Sequence, residues 1–273
     1  VKIKKIAIGL LLFIGISTGM FFYLTKDSFS VPVLMYHHIS DKKWNDAMFV
    51  SRDEFSRQVK YLKDNGYKFL SIEELEDYKV NKRKFPRKCV AITFDDGYED
   101  VYKNAYPVLK EHGAKGTVFV ITSKLDVKGY LNSKQILEMQ ASGVIKSESH
   151  TDSHPQLPKL NYEKQLGELK DSKDKLETLL GSKVNYIAYP YGESNEDTEK
   201  AMKEVGYNLG FRVDSNYTRR GDNLYALRRF WALEDFDYFT QITRVSRVSD
   251  IRFYLKRVKN FLIKPNSAII HFI

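Results

Sequence analysis

Val90-Ala91-Ile92-Thr93-Phe94-Asp95-Asp96-Gly97 is a β-branched and aromatic run that stops at two adjacent carboxylates and a glycine. Its apolar part fits a strand buried on both faces. The ending does not: aspartate is poor in strands, and neighbouring negative charges repel unless a cation or a shared proton relieves them. Two readings stand at this point, an Asp-Gly turn after a strand and a site that uses both carboxylates.

Similar runs recur on both sides. Val31-Pro32-Val33-Leu34-Met35-Tyr36 leads to His37 and His38, and Gly116-Thr117-Val118-Phe119-Val120-Ile121-Thr122 is apolar throughout. Val144-Ile145 opens a strand toward Glu148-Ser149-His150, Tyr186-Ile187-Ala188-Tyr189 and residues 208–213 follow, and 224–231 is strand-like. Helical patterns alternate with them. Ser51 with Glu54 and Ser71 with Glu74 read as capping boxes, the first ahead of Phe55, Val59 and Leu62. A helix around Val108 and Leu109 ends at His112-Gly113, where His112 reads as a C-terminal cap contact. Ser133 reads as the cap of a helix with Ile136 and Met139; residues 161–180 put Leu166, Leu169, Leu176 and Leu179 on one face before Gly181, and 195–205 form a further helix. Apolar strands alternating with helices define a parallel α/β sheet, open or closed into a barrel. In a parallel barrel all strand C-termini share one face. Four strands here end in Tyr36-His37-His38, Asp95-Asp96, His150 with His154, and Tyr189-Pro190-Tyr191-Gly192, so the topology gathers these groups.

His150-Thr151-Asp152-Ser153-His154 places two imidazoles four residues apart. On a helix or tight turn they share a face, and one carboxylate completes a two-His-one-carboxylate metal site. Zn²⁺ suits that donor set with a position left open and ligand distances of about 2.0–2.2 Å. Thr151 stands where a His-Glu-x-x-His metalloprotease has its glutamate, which excludes that motif. One aspartate can then ligate the metal while the other takes a proton from the attacking water, which is a hydrolytic arrangement.

Thr93-Phe94-Asp95-Asp96 and His150-Thr151-Asp152-Ser153-His154 resemble the first two motifs of the polysaccharide deacetylases, carbohydrate esterase family four. The resemblance covers residues 31–235 and implies a distorted (β/α) barrel of about seven parallel strands. It implies Asp95 as general base, Asp96, His150 and His154 as metal ligands, and removal of N-acetyl groups from a glycan. Tyr189-Pro190-Tyr191-Gly192 is similar to the third motif, in which the Tyr191 backbone N–H would help hold the oxyanion. Two departures stand out. Ala188 occupies the position where many members have the arginine that partners the base, and Arg228 or Arg229 is the candidate replacement. The usual Leu-x-His that supplies the general acid has a counterpart in Ile269-Ile270-His271. However, Val33-Leu34-Met35-Tyr36-His37 resembles the permuted arrangement of poly-N-acetylglucosamine deacetylases of the intercellular-adhesion type, which favours His37; His38 is then structural or a neighbour in the cleft.

The 273 residues carry a formal charge of +9, distributed as +3 in residues 1–30, +6 in 241–273 and zero in between. A neutral body without a base-reading motif argues against nucleic acid, and basic ends suit a membrane surface. Residues 6–24 contain no charge and follow Lys2, Lys4 and Lys5. Nineteen uncharged, mainly apolar positions match a hydrocarbon core of about 30 Å, so a signal anchor with the body outside is expected in preference to a cleaved signal peptide. The expected organisation is a cytoplasmic stub, anchor and linker over 1–30, a deacetylase domain over 31–240, and a basic segment over 241–273 that lies on a membrane or packs on the barrel. The single Cys89 reads as a buried small hydrophobe. The expectation is a membrane-anchored monomer acting on an acetylated glucosamine polymer. The alternatives are peptidoglycan deacetylation, xylan acetyl esterase activity, or a glycan-binding scaffold with a degenerate domain.

Overall fold

The computed structural model describes residue 15, residues 30–41 and residues 48–244. The expected span at 6–24, apart from residue 15, lies outside the described residues, as do 245–273 and with them His271. Among the described residues no helix is long and apolar enough to cross a membrane.

The strands of the main sheet are β1 Val33–Tyr36, β2 Lys68–Phe69, β3 Cys89–Phe94, β4 Gly116–Val120, β5 Ile145–Ser149, β6 Tyr186–Ala188, β7 Leu209–Phe211 and β8 Phe230–Trp231. Seven of them form one curled parallel sheet in the order β7-β6-β5-β4-β3-β1-β8, with β2 pairing the first residues of β3. The opening stretch is thus the fifth of the seven strands in this order, flanked by β4 and β1. One short segment draws the two edges of the sheet together. Leu227 bridges to Phe211 of β7, while Phe230 and Trp231 pair with Leu34 and Met35 of β1.

Side chains alternate across a strand, and the two faces here build separate cores. Val33, Ala91, Phe119, Ala188, Phe211 and Leu227 pack together inside the curl of the sheet, whereas Leu34, Ile92, Val118 and Ile187 pack under the helices. The inward register continues past the apolar plug at the strand ends, where it presents polar groups. From Val33 it reaches His37, from Ala91 Asp95, and from Leu227 Arg229 and Trp231.

Among the described residues, seven α-helices cover the sheet: α1 Arg52–Asp64, α2 Ile72–Val80, α3 Tyr106–His112, α4 Ser133–Ser142, α5 Tyr162–Leu180, α6 Glu196–Val205 and α7 Phe236–Thr243. The expected capping box at α2 forms with Ser71 and Glu74. At α1 only half of it does, because the Ser51 N–H donates to Glu234 at 2.6 Å and Glu54 turns to Gln58 instead. Asn132, one residue before the expected Ser133, caps α4, since its carboxamide accepts from Gln135 N–H while the Gln135 side chain returns the bond. Leu169 and Leu176 of α5 are buried, and Leu166 and Leu179 are partly buried against them. Cys89 is a buried free thiol.

Candidate active site

Asp95 and Asp96 part company at the end of β3. Asp95 points into the barrel, where Arg229 grips it with Nη1 to Oδ1 at 2.6 Å and Nη2 to Oδ2 at 2.7 Å. Arg229 is fully buried, and its Nη1 also donates to Thr93 Oγ1 at 3.2 Å and its Nε to the Arg212 carbonyl at 3.3 Å. Phe119 and Phe211 lie under the guanidinium, 5.5 and 6.0 Å from its carbon to their ring centres. Burial works against ionisation of Asp95, and the Arg229 charge overcomes it, so the carboxyl stays below the usual carboxylate range.

Asp96 turns the other way through a left-handed backbone, φ +70°. Its Oδ1 lies 3.3 Å from His150 Nε2 and 3.4 Å from His154 Nε2. Burial opposes its charge as well, and His150 foremost, with His37 and His154, holds the carboxyl well below the ordinary range. Burial depresses the His150 imidazole, but Asp96 and then Asp95 outweigh it and its pKa is raised; His154 is lowered, by burial and by His150.

Asp96 Oδ1 is buried and has no hydrogen-bond partner. A buried acceptor without a partner costs about 1–3 kcal/mol unless something fills the position. The ligand atoms of Asp96, His150 and His154 lie within 4.8 Å of one another, a group that could hold a metal ion. His150 Nδ1 lies 2.8 Å from the Ala188 carbonyl, which accepts its proton, so in the neutral ring Nε2 carries a lone pair toward the cluster. The residues present therefore fit a metal ion.

His37 lies at the same end of the barrel, stacked on Trp231 with ring centres 4.8 Å apart and planes at 17°. Burial lowers its pKa, with Asp95 and Asp96 working in the opposite direction, and its Nδ1 is buried without a partner. Tyr191 is 60% exposed, has φ +59°, and sets its ring 4.9 Å from that of His154. His38 has partners of its own. It is stacked between Phe49 and Tyr98, with Nδ1 2.7 Å from Asp100 Oδ2.

The structure therefore brings together Asp95, Asp96, His37, His150, His154 and Tyr191, and it chooses between the two arginines. Arg228 lies on the outer side, 3.6 Å from Asp214. Leu227, Arg229 and Trp231 share one face at period two, a signal that would have singled out Arg229. Trp231 was missed in the sequence, as was Glu168, which binds the loop between the two histidines.

The sequence model of the family described as polysaccharide deacetylase matches residues 82–210. YxkH of Bacillus subtilis, classed among the polysaccharide deacetylases, is 38% identical over 205 residues, covering 75% of this chain and 72% of its own. The chain belongs to the polysaccharide deacetylase family. Among its relatives, the poly-β-1,6-N-acetyl-D-glucosamine N-deacetylase of Staphylococcus aureus is 33% identical over 199 residues, 68% of each chain. The deacetylase PplD of Streptococcus pyogenes, solved in complex with acetate, superposes with a TM-score of 0.74 at 33% identity, covering 78% of this chain and 98% of that one.

Proposed function

We propose that this deacetylase is a metal-dependent enzyme that removes N-acetyl groups from an extracellular N-acetylglucosamine polymer, with poly-β-1,6-N-acetylglucosamine favoured. The reading is carried by the unpartnered Asp96 Oδ1 between two imidazoles, next to a carboxylate that an arginine keeps ionised. The Staphylococcus aureus relative supports the polymer.

Asp96, His150 and His154 would hold the metal ion, with Zn²⁺ the best match to the donor set. When bound, such an ion supplies Lewis-acid polarisation of the acetamide carbonyl and acidification of water. Asp95 accepts the proton of the attacking water; Arg229 keeps it ionised and fixes both its oxygens. Water oxygen bonds to the carbonyl carbon, and the Tyr191 backbone N–H donates to the developing oxyanion. His37 delivers a proton to the amide nitrogen, the C–N bond breaks, and acetate and a free amine leave. The stack on Trp231 fixes the plane of the His37 ring.

The uncharged run at 6–24 and the basic residues before it support a single-pass anchor with the catalytic domain outside the cytoplasm. Acetate release from β-1,6-linked, β-1,4-linked and peptidoglycan substrates tests the assignment. The β-1,6 oligomers should turn over fastest, and a clear preference for peptidoglycan would move the enzyme to the cell wall.

A further inference from the structure

The loop that carries both histidines has an unfavourable backbone. Thr151 sits at φ +66° and His154 at φ +63°. A left-handed β-branched residue is an outlier, and each such residue costs about 1–3 kcal/mol and persists only where its surroundings over-determine it. Those surroundings can be named. Thr151 N–H donates to Ser149 Oγ at 3.2 Å, His154 N–H to Thr151 Oγ1 at 3.0 Å, and Ser123 N–H to the Asp152 carbonyl at 2.9 Å. Asp152 Oδ1 accepts Thr122 Oγ1 at 2.5 Å and Lys175 Nζ at 2.6 Å.

One side chain does more than any of these. Glu168 of α5 accepts the Asp152 N–H at 3.0 Å and the Ser153 N–H at 2.8 Å on Oε2, and the Ser153 hydroxyl at 2.5 Å on Oε1. A carboxylate receiving several donors makes charge-assisted bonds about twice as strong as neutral ones. The three bonds fall on the two residues immediately before His154. The helix is itself fixed against the neighbouring strand by Leu169 in the core and by Ser172 Oγ, 2.8 Å from Ser149 Oγ.

We infer that Glu168 is a positioning residue for the metal site, holding the strained loop so that His154 Nε2 faces Asp96 and His150. The inference rests on the proposed metal site and adds a residue outside it. Glutamine can keep the geometry, since its carbonyl oxygen can accept the two N–H groups and its amide can donate to Ser153 Oγ. Alanine removes all three bonds.

The test is Co²⁺ titration of the full chain, followed by its visible absorption, in the parent protein, Glu168→Ala, Glu168→Gln and His150→Ala. Loss of an outer-shell partner typically weakens metal affinity by about 10–100-fold. Glu168→Ala should show that loss with an altered Co²⁺ spectrum, and Glu168→Gln should recover most of it. In the metal-free protein, the Asp152 and Ser153 amide hydrogens should exchange faster in Glu168→Ala than in the parent, and at nearly the parent rate in Glu168→Gln. Parent-like Co²⁺ affinity and spectrum in Glu168→Ala, with His150→Ala impaired, would overturn this inference alone. If the parent takes up no Co²⁺, the metal reading fails and the inference falls with it.

Discussion

Replacing Arg229 by methionine would leave Asp95 as an unpaired carboxylate in the barrel. The two are bound by bonds of 2.6 and 2.7 Å, and Asp95 and Arg229 are 2% and 0% exposed, so neither charge has water to fall back on. Removing one member of a buried pair costs about 3–5 kcal/mol, and Asp95→Asn, which strands the guanidinium, should cost a similar amount. Replacing both with neutral groups of similar volume is often nearly neutral, so the double variant should be more stable than either single one. The coupling should therefore be at least about 3 kcal/mol, measured by urea unfolding of the four proteins at neutral pH. The pH dependence follows with a definite sign. In the parent, Asp95 is depressed below its ordinary 3.8, so the stability it contributes is present above that pH and is lost as pH falls through its folded value. In Arg229→Met, burial is opposed only by His150 and His37, so the folded pKa rises and, where it passes the ordinary value, stability is lost as pH increases. The acid limb of acetate release should move to higher pH in the same variant. Additive losses, with the double variant equal to the sum of the singles, would refute the pairing as the basis of the base's ionisation.

Three further outcomes follow from other parts of the structure. Burial pushes Glu148 up to about 8 despite two backbone N–H donors, so the folded protein binds the extra proton between 4.5 and 8 and should lose up to about 5 kcal/mol as pH rises through that window. Glu148→Gln should flatten that slope in thermal unfolding, and an unchanged slope would remove Glu148 as its source. Gly192 sits at φ +72°, where an added Cβ would stand 2.7 Å from the Val213 Cβ, so Gly192→Ala should destabilise by about 1–3 kcal/mol and displace the Tyr191 turn, lowering kcat. Trp231→Ala should lower kcat more than it raises KM, because its ring stacks on His37; a pure KM effect would make Trp231 a substrate contact instead.

The sequence made the central strand legible because a doubly buried strand must be apolar until it reaches the barrel's rim, and Asp95-Asp96 marks that rim. The two histidines were legible for the same reason, at the end of β5. What was not legible depended on contacts between distant segments. Nothing local at Ser51 foretells that Glu234, 183 residues away, takes its N–H. Arg228 and Arg229 are chemically identical neighbours, and only the inward register of 227–231 separates them. The Glu168 clamp is invisible for a similar reason, since a glutamate on a charged helix is ordinary until a loop of unpaired N–H groups is folded against it. The small pairing of His38–Ile39 with Phe49–Val50, which sets His38 against Phe49, likewise arises from a return of the chain.

The central claim is that Asp95 and a metal held by Asp96, His150 and His154 act together in deacetylation. Acetate release from β-1,6-linked N-acetylglucosamine oligomers tests it most directly, with parent protein before and after chelation and re-addition of Zn²⁺, beside Asp95→Asn. Chelation should abolish release and Zn²⁺ restore it, while Asp95→Asn should bind Zn²⁺ yet release almost no acetate. Undiminished release after chelation, or near-parent activity in Asp95→Asn, would contradict the account.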